Sequence, residues 1–315
     1  MLARILLVSL TLELILYLTL ASQVFDASPT ATVLAALAGV LALRALLIVV
    51  TYVYALVWHS PAPRLSVWQV GQMVLGEYAA CVLYFVVIFP FERWWMAADR
   101  LPGRAAQAAR STDRRLPILL VHGYGCSRAA WWWLRRRLEA AGWSVATISL
   151  EPLHAGIDDY VDPLARRIAA VLDETGAEKL LLVGHSMGGL VARAYLQRFG
   201  SGCVARLVTL GTPHQGSRLA HLGLGANARQ MQPGSAWLAA LANPASVLDT
   251  LVIYSPHDNF VMPQVKLQLP GAPGQAIDGL GHLAMLHSPR VAAALLRALA
   301  PAPGTAEWGA TERAR

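Results

Sequence analysis

The first ninety residues are apolar almost without relief. One run covers residues 5–25 and stops at Asp26, Ser28 and Pro29; a second covers 31–58 and is closed by Pro61 and Pro63. Each exceeds the roughly 20 residues an α-helix needs to cross a bilayer, so both predict transmembrane helices. A third run, 68–91, is interrupted by Gln69, Gln72 and Glu77. It either spans or lies at the interface, with Trp94 and Trp95 at head-group level. A cleaved signal peptide is the rival reading of the first run; its long apolar stretch and the second run directly behind it argue against cleavage.

From about residue 116 the pattern changes to short buried runs alternating with helical stretches. Strands are predicted over 116–121, 143–150, 179–183, 204–210, 248–254 and roughly 265–277. Helices are predicted over 128–141, 158–175, 187–199 and 288–300, three of them closed by Gly142, Gly176 and Gly200. Such alternation means a mostly parallel sheet of about six strands with helices on both faces. Residues 214–247 show no strand pattern and read as a lid-like insertion. Residues 99–115 read as a basic linker and 301–315 as a flexible tail. The chain thus divides into a membrane region (1–98), the linker, an α/β domain (116–300) and the tail.

Composition sharpens this division. Charged residues make up 14% of the chain, against about 25% in an average soluble domain, which excludes disorder and argues against an ordinary wholly soluble enzyme. Only Arg4, Glu13, Asp26, Arg44, Arg64 and Glu77 fall within residues 1–91. Glu13 and Arg44 are costly in a membrane unless paired. Folding the first two runs back about residues 27–28 brings position 13 opposite about 42, leaving Arg44 only ~3 Å out of register at 1.5 Å rise per residue. The two are therefore expected to pair across a helical hairpin. The net charge of +7 includes Arg93, Arg100, Arg104, Arg110, Arg114 and Arg115 directly after the apolar region. That placement favours lipid head groups over nucleic acid and leans the globular part toward the cytoplasmic side of a bacterial inner membrane. Cys81, Cys126 and Cys203 fit no metal, redox or disulfide framework.

Three short motifs carry candidate chemistry. Gly184-His185-Ser186-Met187-Gly188-Gly189 follows a predicted strand and opens a predicted helix, the context a nucleophile elbow requires. Asp258, in Tyr254-Ser255-Pro256-His257-Asp258, and His282, in Gly279-Leu280-Gly281-His282, lie in loops beyond strand ends, where a doubly wound sheet places its site. His122-Gly123-Tyr124-Gly125 follows the first strand of the α/β part. A serine hydroxyl needs a base to become a nucleophile; His282 is the candidate, with Asp258 as its partner. His257 is the main competing base. Asp158, Asp159 and Asp162 compete as the acid, although they precede the serine. His185 reads as a residue that shapes the elbow, and His154, His214, His221 and His287 as loop or supporting histidines. Trp131–Trp133 read as helix packing, the alternative being interfacial or acyl-pocket contacts. No metal-ligand spacing and no phosphate-cradling glycine loop is present, so no cofactor is expected.

These motifs, together with Val171-Leu172-Asp173-Glu174-Thr175-Gly176-Ala177, Ile253-Tyr254-Ser255 and Gly211-Thr212-Pro213-His214-Gln215-Gly216-Ser217, resemble in order the lipases of the α/β-hydrolase superfamily, most closely the compact bacterial lipases. The resemblance covers about residues 116–300. It implies an α/β-hydrolase fold and serine ester hydrolysis without a cofactor. It also implies Ser186 as nucleophile, Asp258 and His282 as acid and base, and the backbone N–H groups of Tyr124 and Met187 as oxyanion donors. The membrane region departs from the small secreted lipases. Lipid or fatty-acyl esters are the expected substrates, with a thioesterase or small-ester esterase on the same triad, and then a non-catalytic scaffold or transport component, as alternatives.

Overall fold

The computed structural model describes residues 1–103, 115–241 and 248–300. Most of the predicted basic linker, six residues of the lid-like insertion and the predicted tail lie outside the described residues. Three helices are long and apolar enough to cross a membrane: α1 (Leu2–Val24), α2 (Pro29–Val57) and α3 (Val67–Ile88). Proline starts α2 just after the Ser28 cap, and Ser66 with Gln69 forms a capping box at the start of α3, each supplying acceptors for otherwise unpaired N–H groups. α1 and α2 form the expected hairpin. Arg44, 5% exposed, pairs with Glu13 through both guanidinium nitrogens, Nη2 lying 3.1 Å from Oε1.

The remaining chain builds six strands: β1 (Ile118–Val121), β2 (Val145–Ile148), β3 (Leu180–His185), β4 (Val204–Leu210), β5 (Thr250–Tyr254) and β6 (Gly274–Ala276). They form one sheet of order β2-β1-β3-β4-β5-β6, every pair parallel. β1, β2 and β3 are buried on both faces, as strands covered by helices on either side must be. One face packs Ile118, Leu120, Val183 and Ile253 beneath α4 (Trp132–Ala140) and α9 (Pro289–Leu299). The other packs Leu119, Val121 and Leu182 beneath α5 (Val161–Thr175) and α6 (Met187–Phe199). The short helices α7 (Gly225–Gln230) and α8 (Ala236–Ala240) lie in the lid-like insertion.

One sequence expectation is corrected. The strand read over 265–277 is only the three residues of β6, preceded by a 3-10 turn at Gln264–Leu267. Pro270, Gly271 and Pro273 break the run, because proline removes a ladder donor and glycine weakens a strand.

The apolar helices are not detached from the sheet. Tyr84 and Ile88 of α3, with Phe89, enter the core beneath α4 and α9, and the Tyr84 hydroxyl donates to Ala130 O at 2.8 Å. Asp99, read from sequence as part of a basic linker, is instead buried against the β2 edge. It accepts from Arg135 Nη1 (2.9 Å), Arg167 Nη2 (2.7 Å) and Thr147 N (2.8 Å). Removing one member of a buried ionic cluster costs about 3 kcal/mol because the partner charges stay behind. Asp99→Ala is therefore expected to lower Tm by roughly 10 °C in thermal unfolding of the detergent-solubilised protein; a loss under 2 °C would contradict this role.

Candidate active site

Ser186 sits between the end of β3 and the first turn of α6 with φ 54° and ψ −128°, a conformation that a non-glycine residue holds only at a cost of order 1–3 kcal/mol. The turn is possible because β3 and α6 close on each other at Gly184 and α6 packs against the end of β1 at Gly188. A Cβ at Gly184 would come within 2.5 Å of Gly189 N, and one at Gly188 would collide with the Val121 and His122 carbonyls. Ser186 N donates to Leu210 O at 2.8 Å, which ties the elbow to β4. Met187, the next residue, is the first of α6; its N–H is among those with no intrahelical acceptor, at the positive end of the helix.

Asp258 follows β5 and is fully buried. Its Oδ1 accepts from Phe260 N (2.7 Å) and Val261 N (2.8 Å), leaving Oδ2 to accept from His282 Nδ1 at 2.7 Å. That bond puts the histidine proton on Nδ1 and leaves Nε2 as the acceptor. The His282 ring stacks on Phe260, with centroids 5.0 Å apart, and its Nδ1 and Cε1 are 3.3 Å from where a Cβ of Gly211 would stand. Gly211 is the residue after the Leu210 carbonyl that holds Ser186, so serine and imidazole flank the same β4 terminus. Burial pushes the His282 imidazole pKa down, but the charge and hydrogen bond of Asp258, joined by the Glu77 carboxylate, raise it above its ordinary value.

The loop after β1 is fixed from behind. His122 Nδ1–H donates to Gly123 O (2.9 Å) and its Nε2 accepts from Leu150 N (2.9 Å). The acceptor role of Nε2 needs a neutral ring, and burial pushes the His122 pKa down to about 4. Tyr124 follows. Its hydroxyl bonds both the N–H and the carbonyl of Leu224 at 2.9 Å, latching this loop to the lid-like segment.

The competing groups are engaged elsewhere. His257 Nε2–H donates to Pro63 O (2.9 Å) and its Nδ1 accepts from Gly279 N (3.1 Å). Asp158 accepts from Trp237 Nε1, Asp159 from Gly156 N, and Asp162 pairs with Arg198. His185 is buried beneath His282, with ring centroids 4.7 Å apart, and burial holds its pKa well below the ordinary value. His214 is locked between Thr209 and Arg193. Trp131 is fully buried in the core, whereas Trp132 and Trp133 carry Arg136 and Arg137 over their rings.

Sequence reasoning missed three residues that hold this centre. Asn259 Oδ1 accepts from His282 N (3.0 Å), and Asn259 Nδ2 donates to Thr51 Oγ1 of α2 (2.7 Å). Glu77 of α3 accepts from the backbone directly after His282. The only local signal was polarity inside an apolar run at Thr51 and Glu77.

A serine on a strained strand–helix turn, beside a buried Asp–His pair at the carboxyl edge of a parallel sheet, can form and break acyl bonds. The globular part of the chain has the α/β-hydrolase fold, and residues 117–262 match the family model of that fold. Among its relatives are the triacylglycerol lipases of Burkholderia plantarii, 35% identical over 145 residues, and of Pseudarthrobacter phenanthrenivorans, 35% identical over 114 residues. These alignments cover 40% and 34% of this chain, and the chain spans only 40% and 35% of the lengths of those two lipases. The mature lipase BlEst2 of Bacillus licheniformis superposes with a TM-score of 0.53 at 18% identity, covering 66% of this chain and 97% of that one, a likeness of fold.

Proposed function

We propose that this chain is a membrane-anchored serine hydrolase that cleaves the carboxylic ester bonds of lipids. The observation that carries the proposal is Ser186 on its elbow beside the buried Asp258–His282 pair. Ser186 Oγ attacks the ester carbonyl carbon while His282 Nε2 takes its proton. The N–H groups of Tyr124 and Met187 hold the oxyanion, and Asp258 stabilises the imidazolium. His282 passes the proton to the departing alcohol. A water molecule, deprotonated by the same nitrogen, then releases the acyl group and restores the serine. No step calls for a group beyond these side chains and amides.

Lipid as substrate is supported by the apolar surface. Large exposed hydrophobics concentrate in residues 1–94, among them Val8, Leu12, Leu34, Leu56, Trp68 and Leu75; such a surface needs lipid or a partner to cover it. An apolar cavity of about 580 Å³ also opens between α2, α3 and the loop carrying Asp258, lined by Tyr52, Leu56, Leu65, Met73, Pro256 and His257.

The contacts of the helices support a particular topology. Met1 pairs with Glu151, Ser60 bonds Gln264, and α3 touches the globular part at Glu77 and Tyr84. In our reading α1 and α2 span as a hairpin, while α3 lies at the membrane surface against the candidate active site. Arg4 and the arginines after α3 then share one side, which the positive-inside rule makes cytoplasmic in a bacterial inner membrane. This keeps the division into a membrane region (1–98), a short connection and a catalytic domain (116–300) with a lid-like insertion.

The test is hydrolysis of an ester series by the full detergent-purified chain, from short to long acyl groups, with phospholipid vesicles and an acyl thioester alongside. Rates rising toward long oxygen esters are expected. Activity confined to short esters, or a tenfold preference for the thioester, would overturn the lipid assignment.

A further inference from the structure

Glu77 is the one carboxylate of the apolar helices that reaches into the hydrolase loops, and among the described residues it is fully buried. Its Oε1 accepts from Leu283 N at 2.9 Å and its Oε2 from Ala284 N at 2.8 Å. Both donors belong to the turn that begins at His282. On the other side of that histidine, a Cβ at Gly281 would collide with the same carboxylate, so the backbone closes around Glu77 from both flanks of the base. A buried carboxylate on a helix outside the hydrolase sheet, bonded bidentately to the loop of a catalytic histidine, is expensive unless those bonds and a nearby cation compensate it. The imidazolium that forms at His282 when it takes the serine proton is that cation.

We propose that Glu77 is a positioning residue of the active centre: α3 supplies the carboxyl group that sets the His282 loop and, when ionised, adds a second negative charge to that of Asp258. The inference rests on the reading of Ser186, His282 and Asp258 as the catalytic triad. Its consequence is that the apolar helices complete the catalytic centre as well as anchoring it. Thr51 of α2 contributes through Asn259 to the His282 backbone N–H, so two helices converge on one residue. The titratable groups facing Glu77 are His282 and Asp258 from the hydrolase loops, Tyr52 from α2, and Cys81 and Tyr84 from its own helix. Of these, only His282 becomes cationic.

In Glu77→Gln the amide keeps one acceptor and turns its NH₂ toward the second backbone donor, while the charge is lost. The experiment measures kcat, KM and the pH profile of kcat/KM for the full chain in detergent, with a 4-nitrophenyl fatty-acyl ester as the probe. Support for an essential ligand-orienting group is typically worth 10–100-fold, so kcat is expected to fall about 10–100-fold with KM within about twofold. The acid limb should move to lower pH, because His282 must be neutral to act and loses a charge that raised its pKa. Glu77→Asp should hold the acid limb near that of the wild type while restoring part of kcat. A folded Glu77→Gln protein with unchanged kcat, or with lowered kcat and an unmoved acid limb, would overturn the proposal. Should Glu77→Gln not fold, Gly281→Ala displaces the same carboxylate from the opposite side, and the same two readouts decide. If Ser186→Ala retains wild-type activity, it is the triad reading beneath the proposal that fails, whatever Glu77 does.

Discussion

Ser186→Ala is expected to lower kcat for long-chain ester hydrolysis by about 10⁶-fold, with KM little changed. Losing the nucleophile of a working triad costs this much because the remaining groups no longer act as a unit. What survives is the stabilisation of direct water attack by the two backbone donors, about 10³–10⁴ above the uncatalysed rate. The fold should not suffer. The Ser186 hydroxyl makes no hydrogen bond among the described residues, and the elbow is held by Ser186 N to Leu210 O and by the close contact of Gly188 with β1. Alanine keeps the Cβ and the same strained backbone. Steady-state kinetics of the purified variant, with its Tm as a folding control, read both halves of the expectation.

Asp258→Asn is expected to lower kcat about 10⁴-fold, also without unfolding the protein. The carboxylate makes three short contacts, two from the Phe260 and Val261 amides to Oδ1 and one from His282 Nδ1–H to Oδ2. In asparagine the carbonyl oxygen satisfies the two amides, which puts NH₂ against Nδ1. Imidazole then takes the tautomer with its proton on Nε2, where it cannot accept one from serine, a change worth about 10⁴ in such triads. The acid limb of the residual activity should also shift to lower pH, because the Asp258 charge that raised the histidine pKa is gone. A loss under tenfold would mean that another group orients His282.

Ser186, Asp258 and His282 could be picked out as candidates in the sequence because their chemistry is local. Ser186 announces itself through glycines that the strand–helix crossing demands, and Asp258 sits just past the apolar run that forms β5, whereas only Gly274–Ala276 of the run before His282 is strand. The Glu13–Arg44 pair was legible for a similar reason: hairpin geometry converts sequence separation into register. Glu77 was not. Its partners lie 206 and 207 positions away, and no periodicity links one polar residue in an apolar run to a loop so distant. Asp99 escaped notice because its arginine neighbours in sequence suggested a basic segment facing lipid head groups, whereas the arginines that bury it come from α4 and α5. The third apolar run posed a different problem. One composition suits a bilayer, an interface or a protein surface, and only the contacts of Glu77 and Tyr84 distinguish these environments.

The most direct test of the central claim is covalent capture of Ser186. The full chain in detergent is treated with a long-chain alkyl 4-nitrophenyl phosphonate, and the adduct is located by peptide mass analysis. One phosphonyl group per chain, on the peptide holding Ser186, absent from Ser186→Ala and formed far more slowly in Asp258→Asn, is the predicted result. An adduct on another residue, or ester hydrolysis undiminished while Ser186 stays unmodified, would contradict a serine acyl-enzyme mechanism for this protein.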